Sequence, residues 1–518
     1  MTQEKVKNTP INPYIVAISV LLPSFLSLAA SSATNVCQPN IAGFYGATQY
    51  EANTVITCYI ISGGLMLPVT GYLVRLIGKK LLFYYSIIIF ALGCLLCILA
   101  PNLQALILAR IVQGIGSGAI LPLCQAVLLE VFPPEQRGVA MALFGVAAMF
   151  SPLAGPFVGG YLTDNYTWQW IFIINIPLCL LSLILIKFFV ADEAPVKQKY
   201  NKKFDIVGYT SIVIAMGCMQ VVLDKGQQYN WFDETWICWT TGVCIFSFVF
   251  FYVWELEYKY PVIDIRVFKD RNFLFGTLAS SFINVILYST LLLVPMFVQS
   301  LIGYSPSMSG LTMFPRAVVC LIGLIVVGEV SKYVNQKLLS SIGFIVMACA
   351  LLMLTQMNPN SSMESIVLPN ILLCIGVPIA FVPITALSFQ TLPASKNADA
   401  ASLHALFKNI LTAVSTSASS TFIARVSQVY QNYYVANLAP HNPLFLMKFN
   451  AFKHKMMMYY PSVVASKKAN GLLYKQLLAQ ARLGAFFDIF TLMALLSLSA
   501  ILIILLLKNK QKRKTKNA

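Results

Sequence analysis

Long runs of apolar residues, separated by short polar segments, dominate this sequence. A helix needs about 20 mostly apolar residues to cross the roughly 30 Å hydrocarbon core of a bilayer. The runs lie near residues 14–36, 53–74, 81–100, 105–128, 138–162, 168–191, 204–223, 235–254, 273–299, 307–328, 338–357, 363–390, 401–424 and 485–507. So many consecutive runs of spanning length exclude the buried core helices of a soluble protein. The pattern predicts an all-α polytopic membrane protein with fourteen transmembrane helices.

The composition supports this prediction. Hydrophobic residues make up 58% of the chain and charged residues 11%, against about 45–50% and about 25% in soluble proteins. The first run follows two lysines and ends in small residues, as a signal peptide does. It is longer than the apolar core of a typical signal peptide, and thirteen more runs follow it. We therefore expect the first run to be retained as a transmembrane helix.

The positions of lysine and arginine predict the orientation. With the N-terminus in the cytoplasm, the predicted inner segments hold 24 of the 36 basic residues, and the short outer loops hold only Lys225. Both termini are therefore predicted to be cytoplasmic in the inner membrane. The net charge of +17 then reflects topology rather than nucleic-acid binding. The tail 508–518 is predicted to be a basic cytoplasmic segment.

Two loops repeat a short pattern and divide the chain into halves. The loop after span two contains Gly71, Arg75, Gly78 and Lys79, and the loop after span ten has the same spacing of small and basic residues from Gly328. Span four and its loop share a pair of prolines with span twelve and its loop. The predicted domains are a cytoplasmic N-terminus (1–13), a six-helix bundle (14–191), a linker with spans seven and eight (192–272) and a second six-helix bundle (273–507) that includes a long periplasmic segment (425–484). Two such halves around a midplane site are the geometry of alternating-access transport.

Span four contains a charge where charges are costly. Arg110 lies inside the apolar run, with Gln113 one turn further on. Such a residue usually faces a cavity or a partner, so Arg110 is a candidate for tuning the protonation of a nearby acid. Snorkelling to the interface is the alternative. Gly114 and Gly118 share one helix face and permit a close helix approach.

Span five is unusually rich in glycine and proline. Its candidate hinge residues are Pro152, Gly155, Pro156, Gly159 and Gly160. In a membrane these residues make a kinked helix with a smooth packing face. We expect span five to seal against the other half.

These motifs carry a resemblance to a known family. Arg110-x-x-Gln113-Gly114-x-Gly116 and Gly155-Pro156-x-x-Gly159-Gly160 resemble the span-four motif and the antiporter motif of the major facilitator superfamily. The segments from Gly160 to Pro177, from Leu223 to Gly226 and from Gly303 to Ser305 are similar to the fourteen-helix drug/proton antiporters of the EmrB/QacA type. The resemblance covers almost the whole chain. It implies two six-helix bundles with an inserted helix pair, and multidrug efflux by proton antiport.

The sequence departs from that family at positions tied to proton coupling. Span one usually carries an aspartate where this chain has Ala30, and the loop motif usually carries an aspartate where this chain has Arg75. Span thirteen has Lys408 where the family has an arginine. His404 lies one turn before Lys408 and is a candidate proton acceptor, with a hydrogen-bonded structural histidine as the alternative.

Three acids remain as possible proton carriers. Asp224 ends span seven, Asp488 lies near the start of span fourteen and Glu130 ends span four. Each has an interfacial carboxylate as its alternative interpretation. The basic residues Arg110, Arg316 and Lys408 suit an anionic cargo better than a cationic one.

The predicted function is an inner-membrane exporter of small amphipathic compounds driven by the proton gradient. A dedicated exporter of an anionic metabolite such as a siderophore, or a receptor or scaffold that does not transport, are the alternatives. The sequence contains no nucleotide-binding domain, catalytic arrangement or metal site, so we expect neither enzyme activity nor a cofactor. For 425–484 a surface helix, a docking site and a plain loop stay open. The resemblance implies a periplasmic membrane-fusion adaptor and an outer-membrane channel as partners.

Overall fold

The computed structural model describes residues 13–132, 143–144, 146–190, 205–226, 229–258, 265–331, 333–392, 397–436, 438 and 443–507. Within these ranges the chain is almost entirely helical. The helices are α1 (Pro13–Tyr45), α2 (Gln49–Ile77), α3 (Lys79–Leu99), α4 (Leu103–Val131), α5 (Ser151–Asn165), α6 (Trp170–Phe189), α7 (Ile206–Lys225), α8 (Thr235–Glu257), α9 (Arg271–Phe297), α10 (Pro306–Val330), α11 (Gln336–Leu354), α12 (Met363–Phe389), α13 (Asn397–Val435), α14 (Pro443–Met457) and α15 (Ser462–Leu506). Short π-helical turns precede α5 and follow α9 (Val146–Phe150 and Val298–Ile302). The predicted tails at 1–12 and 508–518 lie outside the described residues.

Eleven of the described helices are long and apolar enough to cross a membrane. The predicted spans two, five and thirteen correspond to α2, α5 and α13, which are helical but are not among the eleven. Serine and threonine lower the hydropathy of α13, and the start of predicted span five falls outside the described residues. The all-α polytopic fold is confirmed, and the count of fourteen spans stays a prediction.

Six of the described helices begin with the same kind of cap, two of them (α7 and α9) with an aspartate. The side chains of Thr48, Asn102, Ser305 and Ser362 each accept a hydrogen bond from the backbone N–H three residues further on, at the starts of α2, α4, α10 and α12. Such caps satisfy N–H groups that have no partner within the helix. They place α2 and α4 of the first half in the same register as α10 and α12 of the second.

Two apolar cores and a smaller third cluster hold the helices together. One core is built by α1, α3, α4 and α6, and the other by α9 to α12 with α15. The third cluster joins Ile61 of α2, Met216 of α7 and Leu406 of α13. The inserted pair α7 and α8 therefore packs beside the line where the two halves meet.

The halves contact each other mainly along two helix pairs, α5 with α10 and α2 with α13, and α1 makes smaller contacts with α9 and α10. We call the end of the bundle where α1 begins the first face, and the other end the opposite face. At the opposite face α5 ends and α10 begins, so their contact lies there. At the first face, Lys79 of α3 forms an ion pair of 2.7 Å with Glu130 of α4.

The segment that the sequence left open at 425–484 is largely helical. Helix α13 has 39 residues and α15 has 45, which correspond to about 58 and 68 Å. Both exceed the roughly 30 Å of a bilayer core, so they extend beyond it at the opposite face. Helix α14 packs on α15 there.

Candidate transport site

Arg110 is completely buried in the first half and is held from several sides. Its Nε donates to the Val55 carbonyl oxygen at 3.0 Å, and its Nη1 donates to Gln113 Oε1 at 2.6 Å. The Tyr59 ring lies 4.2 Å from the guanidinium carbon, a cation–π distance. The arginine therefore ties α4 to α2 inside the bundle, and the snorkelling alternative is wrong because the side chain has no exposed surface.

The groups around Arg110 are themselves held. Gln113 Nε2 donates to Cys94 Sγ at 3.0 Å, which adds α3 to the cluster. The Tyr59 hydroxyl donates to the Ser27 carbonyl oxygen of α1 at 2.6 Å. Ala30 lies one turn after Ser27 and is 2% exposed, so the position that carries an aspartate in the resembling family is occupied here by a buried methyl group. Fixed partners of this kind give the guanidinium one orientation.

Gly114 and Gly118 bring α4 against α2. A Cβ at Gly114 would collide with Ser62 Oγ and lie 2.6 Å from the Tyr59 carbonyl oxygen. A Cβ at Gly118 would collide with the Gly63 carbonyl oxygen. The two glycines therefore permit the close approach that puts Arg110 next to Tyr59.

Helix α5 packs against both halves through its small residues. Gly155 and Gly159 face α1, where a Cβ would meet the Ala29 carbonyl oxygen at 2.6 Å and the Ala33 Cβ at 2.8 Å. On the other side Gly160 lies against the Pro306 backbone of α10. The hinge residues Pro152 and Pro156 lie on this same helix, and the Pro156 carbonyl oxygen faces α10.

The contact between α5 and α10 is completed by polar groups at the opposite face. The Ser307 N–H donates to Asp164 Oδ2 at 2.7 Å, and Ser307 Oγ donates to the Gly160 carbonyl oxygen at 3.1 Å. Asp164 thus places a carboxylate at the N-terminus of α10, where a helix favours negative charge. The rings of Phe157 and Phe314 pack 4.9 Å apart between centroids. Sequence reasoning did not single out Asp164, because nothing local reveals a contact between the two halves.

The loop motif after α2 is only partly described. Gly78 has a φ of +87° and ends α2, as expected of a tight-turn glycine. Lys79 pairs with Glu130, so this acid is an interfacial partner of a lysine. Gly71 faces open space. The side chain of Arg75 lies outside the described part of the structure.

His404 and Lys408 form a second cluster on α13. His404 Nδ1 lies 3.3 Å from the Thr277 hydroxyl of α9, and its ring packs edge-on against Phe389 of α12. Lys408 is half-buried one turn further on. Beyond it α13 presents Thr412, Ser415, Thr416 and Ser419, all buried. These residues make a polar stripe that runs from His404 towards the opposite face.

Of the predicted acids, Asp488 does not join these two clusters. Asp488 lies on α15 and accepts a hydrogen bond of 3.0 Å from the Tyr430 hydroxyl. Burial and this bond raise the pKa of Tyr430. The side chain of Asp224 lies outside what the structure describes. Among the described residues, the single ion pair is that of Lys79 and Glu130, so Arg110 and Lys408 have no carboxylate partner there.

A cavity of about 420 Å³ opens between the halves towards the opposite face. It is lined by Gln38, Thr48, Gln49, Leu292, Met296, Ser420, Ile423, Ala424, Ser427, Gln428, Gln431, Leu478, Ala481 and Arg482. The polar stripe of α13 leads to it, since Ser420 lies one residue after Ser419. One exposed cation, Arg482, and several amides and hydroxyls give the cavity a polar character.

Arg316 of α10 is the buried residue whose setting sequence reasoning did not foresee. It is completely buried, and its Nη1 donates to Asn370 Oδ1 of α12 at 3.2 Å. The position of Arg316 inside an apolar run was visible in the sequence. Its partner Asn370 lies 54 residues away, and nothing in the sequence indicated their contact.

Comparison with known proteins is consistent with this architecture. Residues 20–416 match the model of the Major Facilitator Superfamily. The chain belongs to that superfamily of membrane transporters.

The curated relatives point to one branch of the superfamily. The chain is 32% identical to the probable multidrug resistance protein EmrY of Escherichia coli, over 87% of each chain. It is 29% identical to the multidrug export protein EmrB of Haemophilus influenzae, over 95% of this chain and 94% of the relative. The fatty acid resistance protein FarB of Neisseria gonorrhoeae is 30% identical over 82% of this chain and 84% of the relative. The predicted EmrB/QacA-type branch is therefore confirmed.

Among solved structures, a bacterial homologue of the human lysosomal transporter Spinster, inward-facing and occupied, superimposes with a TM-score of 0.62. The match covers 96% of this chain and 97% of that chain at 12% identity. At this identity the likeness supports the fold alone.

Proposed function

We propose that the protein exports small amphipathic molecules across the inner membrane by alternating access, in exchange for protons. The observation that carries the proposal is the contact of α5 with α10, where Gly160 lies against the Pro306 backbone. At this contact the backbones of the two halves lie directly against each other, and few side chains join them there, chiefly Asp164 with Ser307 and Phe157 with Phe314, so the halves can meet and part. Rocking of two such halves around a central site is how secondary transporters work.

The proposed orientation assigns the two faces of the bundle to the two sides of the membrane. The first face, which carries most of the basic residues of the short loops, is assigned to the cytoplasm by the positive-inside rule. Both termini then lie inside the cell. The contact of Asp164 with Ser307 then joins the two halves at the periplasmic end of α5 and α10.

Arg110 is proposed to couple the proton to the cargo. A buried guanidinium favours the charged form of any acid that comes near it. In the absence of an aspartate at Ala30, the remaining candidates for the proton itself are His404, Asp224 and Asp488. His404 has the best setting of the three, because it is half-buried beside Lys408 at the start of the polar stripe of α13.

The cargo class follows from the charges inside the bundle. Arg110, Arg316 and Lys408 lie within it, and no carboxylate pairs with them among the described residues. Amphipathic acids are therefore favoured over cationic drugs. The name of the relative FarB, a fatty acid resistance protein, agrees with this class.

The helices beyond the bilayer suit a partner in the periplasm. The end of α13, the whole of α14 and the start of α15 extend there as a helical unit with exposed apolar side chains such as Met447, Met458 and Tyr459. We propose that a membrane-fusion adaptor docks on this unit and connects the exporter to an outer-membrane channel.

The test is efflux from everted membrane vesicles under an imposed pH gradient. A fluorescent anionic dye and a cationic dye are each followed for the wild type and for Arg110→Ala. We expect uptake into the vesicles that stops when the gradient is collapsed and that is at least tenfold slower in the variant. Equal insertion of both proteins is checked by surface labelling.

Two outcomes would contradict the proposal. Gradient-independent uptake would exclude proton antiport. No uptake of either dye by correctly inserted protein would favour a receptor or scaffold.

A dedicated exporter of one anionic metabolite is the second candidate. The uncompensated cations inside the bundle favour it, because a multidrug exporter of cations would be expected to carry buried acids. Competition separates the two functions, since a dedicated exporter is inhibited by one acid and not by a series of unrelated ones.

A further inference from the structure

Each half contains a buried arginine within the same pair of repeat-related positions, on α4 in the first half and on α10 in the second. Tyr59 and Arg316 each lie eleven residues after the caps Thr48 and Ser305 of α2 and α10. Arg110 and Asn370 each lie eight residues after the caps of α4 and α12. The pair Tyr59 and Arg110 in the first half is therefore related by the internal repeat to the pair Arg316 and Asn370 in the second.

Close packing elsewhere confirms this register. Gly116 of α4 faces α3, where a Cβ would lie 2.8 Å from the Ser86 carbonyl oxygen. At the repeat-related position Gly376 of α12 faces α11, where a Cβ would lie 2.7 Å from the Gly343 carbonyl oxygen. The same positions make the same contacts in both halves, so the relation between the two arginine pairs is structural.

The second arginine is much less satisfied than the first. Its Nη1 contacts Asn370 Oδ1 and, at 3.5 Å, Met313 Sδ, but its Nε and Nη2 are buried without a hydrogen-bond partner. Arg110, in contrast, leaves only Nη2 unpaired. Buried charged groups without partners are costly, and such groups mark sites where a ligand supplies what the protein does not.

An anion would satisfy the unpaired nitrogens of Arg316. The buried thiols of Cys320 and Cys374 lie one turn further on, and that of Cys374 interacts with the guanidinium. No described carboxylate forms an ion pair with Arg316. A guanidinium with two free N–H groups presents the fork that binds a carboxylate through two bonds.

Both helices of the second arginine pair contain a proline at this point. Pro315 immediately precedes Arg316 inside α10, and Pro369 immediately precedes Asn370 inside α12. Each proline removes one backbone hydrogen bond and weakens the helix at that turn. The positions before Tyr59 and Arg110 in the first half are Cys58 and Ala109.

We propose that Arg316 and Asn370 form the anion site of the C-terminal half, which binds the carboxylate of an amphipathic acid or a small inorganic anion with the same charge. The inference deepens the proposed function and rests on it for the cargo class. Arg316 binds the acid group through Nε and Nη2, and Asn370 holds the guanidinium from the other side.

The test is binding of laurate to the purified full-length protein in detergent, measured by equilibrium dialysis without a proton gradient. Dodecanol serves as the uncharged probe of the same chain length. Arg316→Gln is expected to weaken laurate binding at least tenfold and to change dodecanol binding less than twofold. Lys455→Gln, which removes an exposed cation of α14, is the matched control and is expected to bind both probes as the wild type does.

The exchanged variant Arg316→Asn with Asn370→Arg moves the guanidinium from α10 to α12, as in the first half. It is expected to recover laurate binding to within threefold of the wild type, which a purely packing role of Arg316 would not predict. Asn370→Ala covers the case that Arg316→Gln does not fold, and it is expected to weaken laurate binding two- to fivefold.

A chloride series identifies the source of the anion. Binding of laurate that weakens when gluconate is replaced by chloride indicates a site open to small anions, and binding that is unaffected indicates a site for the acid of the cargo. Laurate binding that is unchanged in folded Arg316→Gln or Asn370→Ala, or an equal loss of dodecanol binding, would overturn the proposal. Failure of dye efflux in vesicles with laurate binding still dependent on Arg316 would contradict the proposed function and leave the anion site standing.

Discussion

Tyr59 and Arg110 in the N-terminal half occupy the positions of Arg316 and Asn370 in the C-terminal half. In the first pair the guanidinium is on α4, with three partners: the Val55 carbonyl oxygen, Gln113 and the Tyr59 ring. In the second pair the guanidinium is on α10 and donates a hydrogen bond to the side-chain oxygen of Asn370. The same helix crossing thus holds one charge firmly and the other loosely.

This difference separates two tasks that one charge could not perform together. A preorganised cation keeps its field fixed, as a group that tunes the protonation of another must. A cation with free N–H groups beside two prolines can reorganise around a ligand. We infer that the N-terminal half supplies the coupling charge and the C-terminal half the binding charge.

The largest expected effect distinguishes the two arginines by the same substitution. Arg110→Lys keeps the charge but loses the fork that contacts Val55 and Gln113 together, so we expect gradient-driven efflux to fall by roughly tenfold or more. Arg316→Lys keeps the charge that attracts the carboxylate of the cargo and loses one of the two bonds of the fork, so we expect a smaller fall of about two- to threefold. Initial efflux rates, normalised to inserted protein, measure both. Equal losses would show that the two sites do not differ in preorganisation.

The next substitution makes the site of Arg110 resemble that of Arg316. Gln113→Leu removes the acceptor of Arg110 Nη1 and leaves a second buried nitrogen unpaired, at a cost of about 1–3 kcal/mol. We expect a lower thermal midpoint in detergent and an efflux rate reduced about fivefold. The related position on α12 is already leucine, at Leu373.

The control for Gln113→Leu replaces an exposed leucine on the lipid-facing side of the same helix. Leu108→Ile changes an exposed residue of α4, and we expect it to leave both the midpoint and the rate unchanged. A Gln113→Leu protein as active and as stable as the wild type would mean that Arg110 does not need its fixed partner.

The sequence predicted the elements of this comparison unevenly. Arg110, Gln113 and Gly114 stand on one helix within five residues, so their motif was readable from the chain. The pair Arg316 and Asn370 depends on a contact between two helices, and its register is revealed in the structure by the caps Ser305 and Ser362 and by the close packing at Gly376. Residues joined by tertiary packing leave no periodic signal in one sequence.

The same reasoning explains what the sequence could and could not say about the fold. Long apolar runs specify membrane helices because the bilayer requires internally satisfied backbone. The extension of α13 beyond residue 424 and the extension of α15 to Ser462 are stabilised by packing and do not follow from hydropathy. The contact of Asp164 with Ser307 joins residues 143 positions apart and was likewise invisible.

The third prediction concerns the prolines of the second pair. Pro315→Ala or Pro369→Ala restores a backbone donor at the turn before Arg316 or Asn370. We expect a stability gain of about 1 kcal/mol, well below the roughly 3 kcal/mol of a soluble helix because membrane neighbours relieve part of the strain. We also expect transport about two- to threefold slower, since the site opens less readily.

Thermal unfolding and efflux of the same preparations test whether the proline variants gain stability and lose transport rate together. Cys58→Ala and Ala109→Ser alter the equivalent positions of the first half. Neither substitution removes a proline, so we expect neither a gain in stability nor slower transport. A proline variant that is both more stable and equally fast would contradict a role of these turns in opening.

The smallest expected effect lies at the repeat-related glycines of the two loop motifs. Gly71 of α2 and Gly328 of α10 both face open space, so a methyl group meets nothing, and alanine is favoured over glycine in a helix by up to about 1 kcal/mol. Gly71→Ala and Gly328→Ala should therefore raise the thermal midpoint slightly or leave it unchanged. They should do so equally in the two halves, because neither glycine touches an arginine pair.

Gly116→Ala, whose methyl group would lie 2.8 Å from the Ser86 carbonyl oxygen, is the destabilised reference, with an expected loss of stability of about 1–3 kcal/mol. A marked loss of efflux in Gly71→Ala with normal stability would mean that this glycine contacts the other half in a second conformation, and the comparison of the halves would then have to include their first-face loops.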